Sequence, residues 1–284
     1  MTESATFEYP PPPRSKRTRG LAGFLKGSGL SIFGIAVVLL VWEIAARWGN
    51  IANGTVVPFT TALETAWNER SYLLSEMLYT GKAALAGYLL SVVVGVTIAV
   101  GIVSFRPVSR AVWPMIVMSQ VVPKIAVAPV FLVWFGFGIT SKILIAFLLS
   151  FFPIVIDSVL GLRSTSIEQI YLARSMGAGK LKTFRRIRLQ NALPSMFTGF
   201  KLAATFCVTG AIVGEFVGSD NGIGRVILAS SARLNPDVTF AAILYVTGLG
   251  FIAFFSIRLI EGLMIPWHVS RRQKGARHGS RSST

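Results

Sequence analysis

The chain lacks most of what an autonomous enzyme or a water-soluble globule needs. Cysteine occurs once, at Cys207, and histidine twice, at His268 and His278, among 284 residues. A lone thiol excludes a disulfide scaffold, and three candidate ligands cannot fill a four-coordinate structural zinc site. Charged residues make up only 14%, against about 25% in soluble domains. Acidic residues number 12, and no carboxylate pair stands at catalytic spacing. Both histidines lie in or beside the C-terminal tail, so no Ser–His–Asp or Cys–His set forms. A phosphate-cradling loop is also missing. It needs Gly-x4-Gly-Lys-Ser/Thr, and Gly179-Lys180 fails it because Arg174 and Leu181 occupy the other defining positions. Gly222-Ile223-Gly224 is an isolated turn rather than a dinucleotide fingerprint.

What is present is apolar. Hydrophobic residues make up 52% and mean hydropathy is +0.62, which excludes disorder for the bulk of the chain. Six apolar runs stand out: 30–48, 83–103, 111–135, 142–160, 197–217 and 238–260. Each is close to the roughly 20 residues that cross hydrocarbon as a helix. Lipid cannot satisfy an open strand edge, so the expected fold is all-α and polytopic, with about six transmembrane helices over 30–266. Residues 1–29, with Pro10-Pro11-Pro12-Pro13 followed by Arg14-Ser15-Lys16-Arg17-Thr18-Arg19, read as a basic disordered tail, and 267–284 as a second basic tail. The first run contains Glu43 and is long, so it reads as an uncleaved span rather than a signal peptide.

The net charge of +16 admits nucleic-acid binding or cytoplasmic loops facing anionic lipid. Distribution decides it. Six spans put both ends on one side, and 21 of the 28 basic residues fall on that side. By the positive-inside rule both termini are cytoplasmic, with no nucleic-acid partner required. On the outer side, segment 49–82 carries Thr61-Ala62-Leu63-Glu64 after Pro58, which fits a capping box. Leu63, Ala66, Trp67, Leu74, Met77 and Leu78 then form an apolar stripe expected on one or two short helices.

The inner loop 161–196 carries the functional reading. Ser166 can cap a short helix ending near Met176, and Gly177 and Gly179 would break it. A second basic helical stretch follows, which Pro194 is expected to close. Composition allows either an interfacial basic helix or a docking knob. Ala173, Gly177, Ile187 and Leu189 stand in register with E-A-A-x3-G-x9-I-x-L-P. The loop thus resembles the EAA loop of ABC-importer membrane subunits. Tyr171 replaces the Glu, Leu172 the first Ala and Gln190 the Pro, while the further Leu193-Pro194 pair fits.

The likeness continues through Val122-Pro123-Lys124 to Pro129, Trp134 and Gly136-Phe137-Gly138, and through Glu215 to Gly218, Asp220 and Gly222-Ile223-Gly224. Ile265-Pro266-Trp267-His268 closes it. These look like signatures of the nitrate/sulfonate/taurine/bicarbonate branch, a binding-protein-dependent transport inner membrane component with a MetI-like, type I permease fold. The resemblance implies a permease subunit of an importer of small anions or vitamin precursors such as pyrimidines. It implies two copies of a cytoplasmic ABC ATPase, an extracytoplasmic solute-binding protein and a second permease copy. ATP hydrolysis would lie on the separate ATPase chain. No cofactor is expected on this one. Tyr171, Leu172, Ala173, Met176, Gly177, Ala178, Gly179, Ile187, Leu189 and Pro194 are the expected coupling residues.

Within the membrane, Gly87, Ser91 and Gly95, and Gly210, Gly214 and Gly218, form four-residue stripes suited to close helix packing. Pro123 and Pro129 should kink the third span where it is buried or lines a cavity. Lys124 between them contacts either an anionic substrate or carbonyls freed by the prolines. Glu215 is placed near an outer gate and Asp157 near the inner end of the fourth span. The rival readings are a stand-alone secondary transporter, which calls for inverted repeats that are not evident, and a membrane enzyme, which the missing nucleophile sets disfavour.

Overall fold

The computed structural model describes residues 21–48 and 56–265, with side chains from residue 33 onward. Residues 1–20 of the expected N-terminal tail, the C-terminal tail and the Pro266-Trp267-His268 triplet lie outside the described residues, whereas residues 21–29, expected to be disordered, form the start of a helix. Contacts divide the chain into residues 1–59 and 60–284. The first unit contains helix α1 (Leu21–Trp48), which includes the first apolar run. Trp42 donates from its indole N–H to the Val57 carbonyl at 3.1 Å, and its ring lies 5.5 Å from Phe59. Glu43 pairs with Arg47 one turn on, at 2.6 Å.

The second unit is built of helices joined by short connections, with no strand among its described residues. It comprises α2 (Phe59–Asn68, from residue 60), α3 (Arg70–Ser104), α4 (Arg106–Met118), α5 (Ala128–Phe135), α6 (Ile139–Arg163), α7 (Ile167–Ser175), α8 (Lys180–Thr183), α9 (Leu189–Val217), α10 (Ile223–Ala232) and α11 (Pro236–Met264). Among the described residues, four helical stretches are long and apolar enough to cross a membrane: Arg70–Ser104, Ile139–Arg163, Lys180–Val217 and Pro236–Met264.

Helix α6 is the centre, flanked by α3 and α9. Small residues set the approach. A Cβ on Gly87 of α3 would lie 2.7 Å from the Ala146 Cβ of α6, and one on Gly210 of α9 would lie 2.7 Å from the Ala146 Cα. Gly95 meets Ile154, Gly214 meets Lys142 and Ile145, and Gly218 meets the Phe137 ring. Dispersion between closely packed backbones is the main attraction available where lipid already matches the side chains in polarity. Between the glycines of α3, Ser91 reaches across, with its hydroxyl 2.7 Å from that of Ser150 and 3.0 Å from the Phe147 carbonyl. The core thus formed contains Ala84 and Tyr88 of α3, Ile154 of α6, and Ala203, Cys207 and Ala211 of α9.

Three expectations change. The third run, 111–135, is not one kinked helix. Its chain leaves α4 at Met118, passes Pro123 in extended conformation (φ −70°, ψ 92°), makes one 3₁₀ turn over Lys124–Val127 and restarts as α5. Proline disfavours helical geometry at the residue before it and removes an amide, which suits the extended passage through Val122-Pro123 after α4 has ended. Pro129 falls in the first turn of α5, where a missing N–H costs nothing. Second, Thr61 does not cap α2. The helix starts at Phe59, directly after Pro58, leaving Thr61 inside it and Ala62 buried. Third, Pro194 closes no helix. It lies inside α9, which is entered through a π turn over Phe184–Arg188. The segment between α6 and α9 is accordingly 164–188, narrower than 161–196.

Candidate functional site

Two regions gather the residues singled out above. One is the α7–α8 turn. Ser166 occupies the N-cap position of α7 in extended conformation, without a capping bond from its side chain. The helix ends in a Schellman turn. The Ala178 N–H bonds the Ala173 carbonyl at 3.0 Å, and the Gly177 N–H bonds the Arg174 carbonyl at 2.9 Å. Gly177 has φ +79°, the left-handed geometry that glycine adopts without Cβ strain. The Ala173/Gly177 spacing therefore has a mechanical basis: the fourth residue after the small one reverses the chain and drops it back onto that residue. Gly179 differs, since its φ is −64° and it stands as N-cap of α8.

This turn presents an open apolar surface. Tyr171, Leu172, Met176 and Leu181 are 62–80% exposed, and a Cβ on Gly177 or Gly179 would meet nothing within 4 Å. A cavity of about 500 Å³ lies behind it, lined by Leu172, Ala173, Met176, Ala178 and Ile187. Asn191 donates to Gln169 at 2.9 Å and ties α9 to α7. Leu189 begins α9, and Pro194 sits one turn further in.

The other region is the break before α5. A cavity of about 470 Å³ opens there between Pro123-Lys124, α6 and α9, with Gln120, Lys124, Phe152, Asp157, Phe206 and Thr209 on its walls. The Lys124 ammonium lies 4.6 Å from the Phe152 ring centroid, a cation–π contact. Asp157 packs on α9 at Gly199, and Ser195 donates to its carbonyl at 2.9 Å. Pro129 is exposed on α5, away from this lining.

Glu215 is elsewhere. It is 1% exposed, accepts from the Thr80 hydroxyl at 2.7 Å and from the Gly224 N–H at 2.7 Å. Thr80 in turn accepts from the Ile223 N–H at 2.9 Å, and Glu76 accepts from the Gly222 N–H. Three consecutive amides at the start of α10 are thus each held by a side chain of α3 or α9, which answers the orphan donors of a helix N-terminus. Arg225 reaches Glu76 at 3.4 Å and Tyr72 at 3.1 Å. Sequence reading missed Glu76, Thr80 and the fully buried Lys142, which donates to the Phe137 carbonyl. An Asp or Glu at the end of one apolar run, facing polar residues early in another, was the available signal. Among the described residues, no three His, Cys, Asp or Glu side chains gather to hold a metal.

The architecture and the exposed helix–Gly–helix turn define a membrane transport subunit. Residues 87–265 match the family described as binding-protein-dependent transport system inner membrane component, and the chain belongs to that family. It is 33% identical over 231 residues to the formylaminopyrimidine transport permease protein ThiX of Halalkalibacterium halodurans, covering 81% of this chain and 92% of that one. It is 27% identical over 260 residues to the putative aliphatic sulfonates transport permease protein SsuC of Bacillus subtilis, covering 90% and 92%. A chain in the inward-facing MetNI methionine ABC transporter superposes with a TM-score of 0.54 at 19% identity, over 66% of this chain and 95% of that one, and shares the fold. The protein is an ABC importer permease subunit with a MetI-like, all-helical fold.

Proposed function

We propose that the chain forms, with a second copy of itself, the membrane pathway of a bacterial importer. Two cytoplasmic ATPase subunits grip the α7–α8 turn, and an extracytoplasmic binding protein delivers the solute. Both termini are cytoplasmic, on the strength of the basic-residue asymmetry. The observation that carries the reading is the Schellman turn at Gly177, with four large apolar side chains exposed around it. A partner that binds this handle more tightly in one state than in another shifts the membrane helices between those states. Residues 30–266 are the permease body, and the tails serve no step in this scheme.

For the solute, the cavity at Lys124 favours a small polar heterocycle of the pyrimidine type over a simple anion. Its walls carry a cation, a carboxylate, an amide and two phenyl rings, and Asp157 would repel a sulfonate or nitrate that Lys124 attracted. The named specificity of the relative at 33% identity is in keeping with this. Pro123 and Lys124 line that pathway, while Glu215 holds the outer end of α9 against α10.

The test is purification and transport. The chain should co-purify with an ATPase, and liposomes holding both should import solute only with ATP inside the motor compartment and the binding protein outside. Solute flux through liposomes holding this chain alone, without nucleotide, would favour the stand-alone secondary transporter and end the proposal.

A further inference from the structure

A third cavity, of about 860 Å³, lies between the end of α3, the start of α4 and the α7–α8 segment. Arg106, Arg174, Lys180 and Arg188 line it, and no acidic side chain does. Arg188 is half-buried and the other three are exposed. None of the four has an ion-pair partner among the described residues. Four converging cations without a counter-charge repel one another, and an anion between them removes that cost.

Of the remaining wall, Ser104 and Thr183 are polar, while Val100 and Val103 from the last turns of α3 and Ile170, Leu181 and Phe184 opposite are apolar. Leu90, Val93, Thr97 and Val100 fall at spacings of three and four, so they share one face of α3. Leu90 and Val93 are exposed on that face. From Val93 to Val103 the helix rises about 15 Å at about 1.5 Å per residue, half the depth of the roughly 30 Å hydrocarbon core. An acyl chain lying along this stripe from mid-membrane would bring its phosphate to the four cations.

We propose that this cavity holds the phosphodiester headgroup of an anionic phospholipid of the cytoplasmic leaflet, with an acyl chain on the Leu90–Val93–Val100 face of α3. The lipid would wedge between the end of α3 and the turn that the ATPase grips, joining membrane surface charge to the coupling segment. The proposal rests on the cytoplasmic placement of that turn. Free inorganic phosphate shares the headgroup's charge but leaves the apolar wall uncovered.

The experiment uses the whole transporter, purified with its ATPase from membranes and exchanged into nanodiscs of equal phosphatidylcholine and phosphatidylglycerol. Retained lipid is then counted by native mass spectrometry. Wild type should retain phosphatidylglycerol over phosphatidylcholine by about tenfold, given the attraction of each basic residue to anionic lipid. R106Q/R188Q should fall to parity while still co-purifying with the ATPase, and R106K/R188K should keep the preference. Equal retention of both lipids by wild type, or an unchanged preference in R106Q/R188Q, overturns the proposal. Displacement of phosphatidylglycerol by millimolar inorganic phosphate overturns it too, since the cavity would then take a free anion. Sidedness is read separately from R174C with a membrane-impermeant maleimide. Labelling only from the outer face overturns both the topology and the lipid site. Labelling from the inner face without lipid preference overturns the lipid site alone.

Discussion

Two turns in this molecule share a backbone requirement and differ in everything around it. Gly177 between α7 and α8 and Gly222 before α10 both adopt positive φ, +79° and +109°. At Gly222 a Cβ would fall on the Glu215 carboxyl group, whereas at Gly177 it would meet nothing. The amides of Gly222, Ile223 and Gly224 are satisfied within the chain by Glu76, Thr80 and Glu215. Around Gly177 the side chains are large, apolar and exposed. One turn is an internal lock. The other stands open, with nothing of its own chain over the glycine. The same residue type at positive φ is thus enclosed by its own chain in one place and left open in the other, and the neighbours alone tell them apart.

The difference is sharpest in substitutions. Gly222→Ala should cost most, because left-handed strain of about 1–2 kcal/mol adds to displacement of Glu215 and loss of its buried bonds at about 1–3 kcal/mol each. The purified permease should show a much lower Tm or fail to elute as a single species. A wild-type Tm would mean that the lock is slack. Gly177→Leu should leave Tm within a few degrees yet reduce ATPase co-purification by about tenfold or more, the scale of a lost interface anchor. Gly177→Asn, which tolerates left-handed geometry, should retain most of it. If both Gly177 variants unfold the protein instead, the two turns are alike and the contrast fails.

Smaller effects refine it. L172D/M176D should weaken ATPase binding while changing stability by less than about 0.5 kcal/mol, as surface changes usually do. Lys124→Met should raise the KM of uptake about tenfold, the range for losing a bond to a charged group, with ATPase co-purification unchanged. An unaltered KM would remove Lys124 from the pathway. Ser91→Ala should be the mildest, at about 1 kcal/mol, seen as a Tm drop of about 2–4 °C. It breaks a helix contact that neither turn depends on.

Much of the fold was legible in sequence because membrane crossing is a length-and-polarity constraint. The runs 142–160, 197–217 and 238–260 lie inside α6, α9 and α11. Turn chemistry was legible where a single residue dictates it, as at Gly177. The reading failed where local signals competed. Thr61 offered a cap, but Pro58 had already started the helix. Pro194 looked like a stop, but it lies inside α9. The third run looked like a span by hydropathy, and Val122-Pro123 divided it.

Composition and order alone determined that the chain crosses a membrane as helices and that a small-x3-Gly turn stands between the fourth and fifth apolar runs. These follow from local rules: the solvent of each segment, and the dihedral each residue tolerates. Only the tertiary structure decided that Gly87 and Gly210 meet the same residue of α6, that Glu215 caps α10 with Thr80 and Glu76, and that Arg106 and Arg188 face one cavity. Most of those contacts join residues 59 to 146 positions apart in the chain, and contacts at such separations come from packing, which no local pattern encodes.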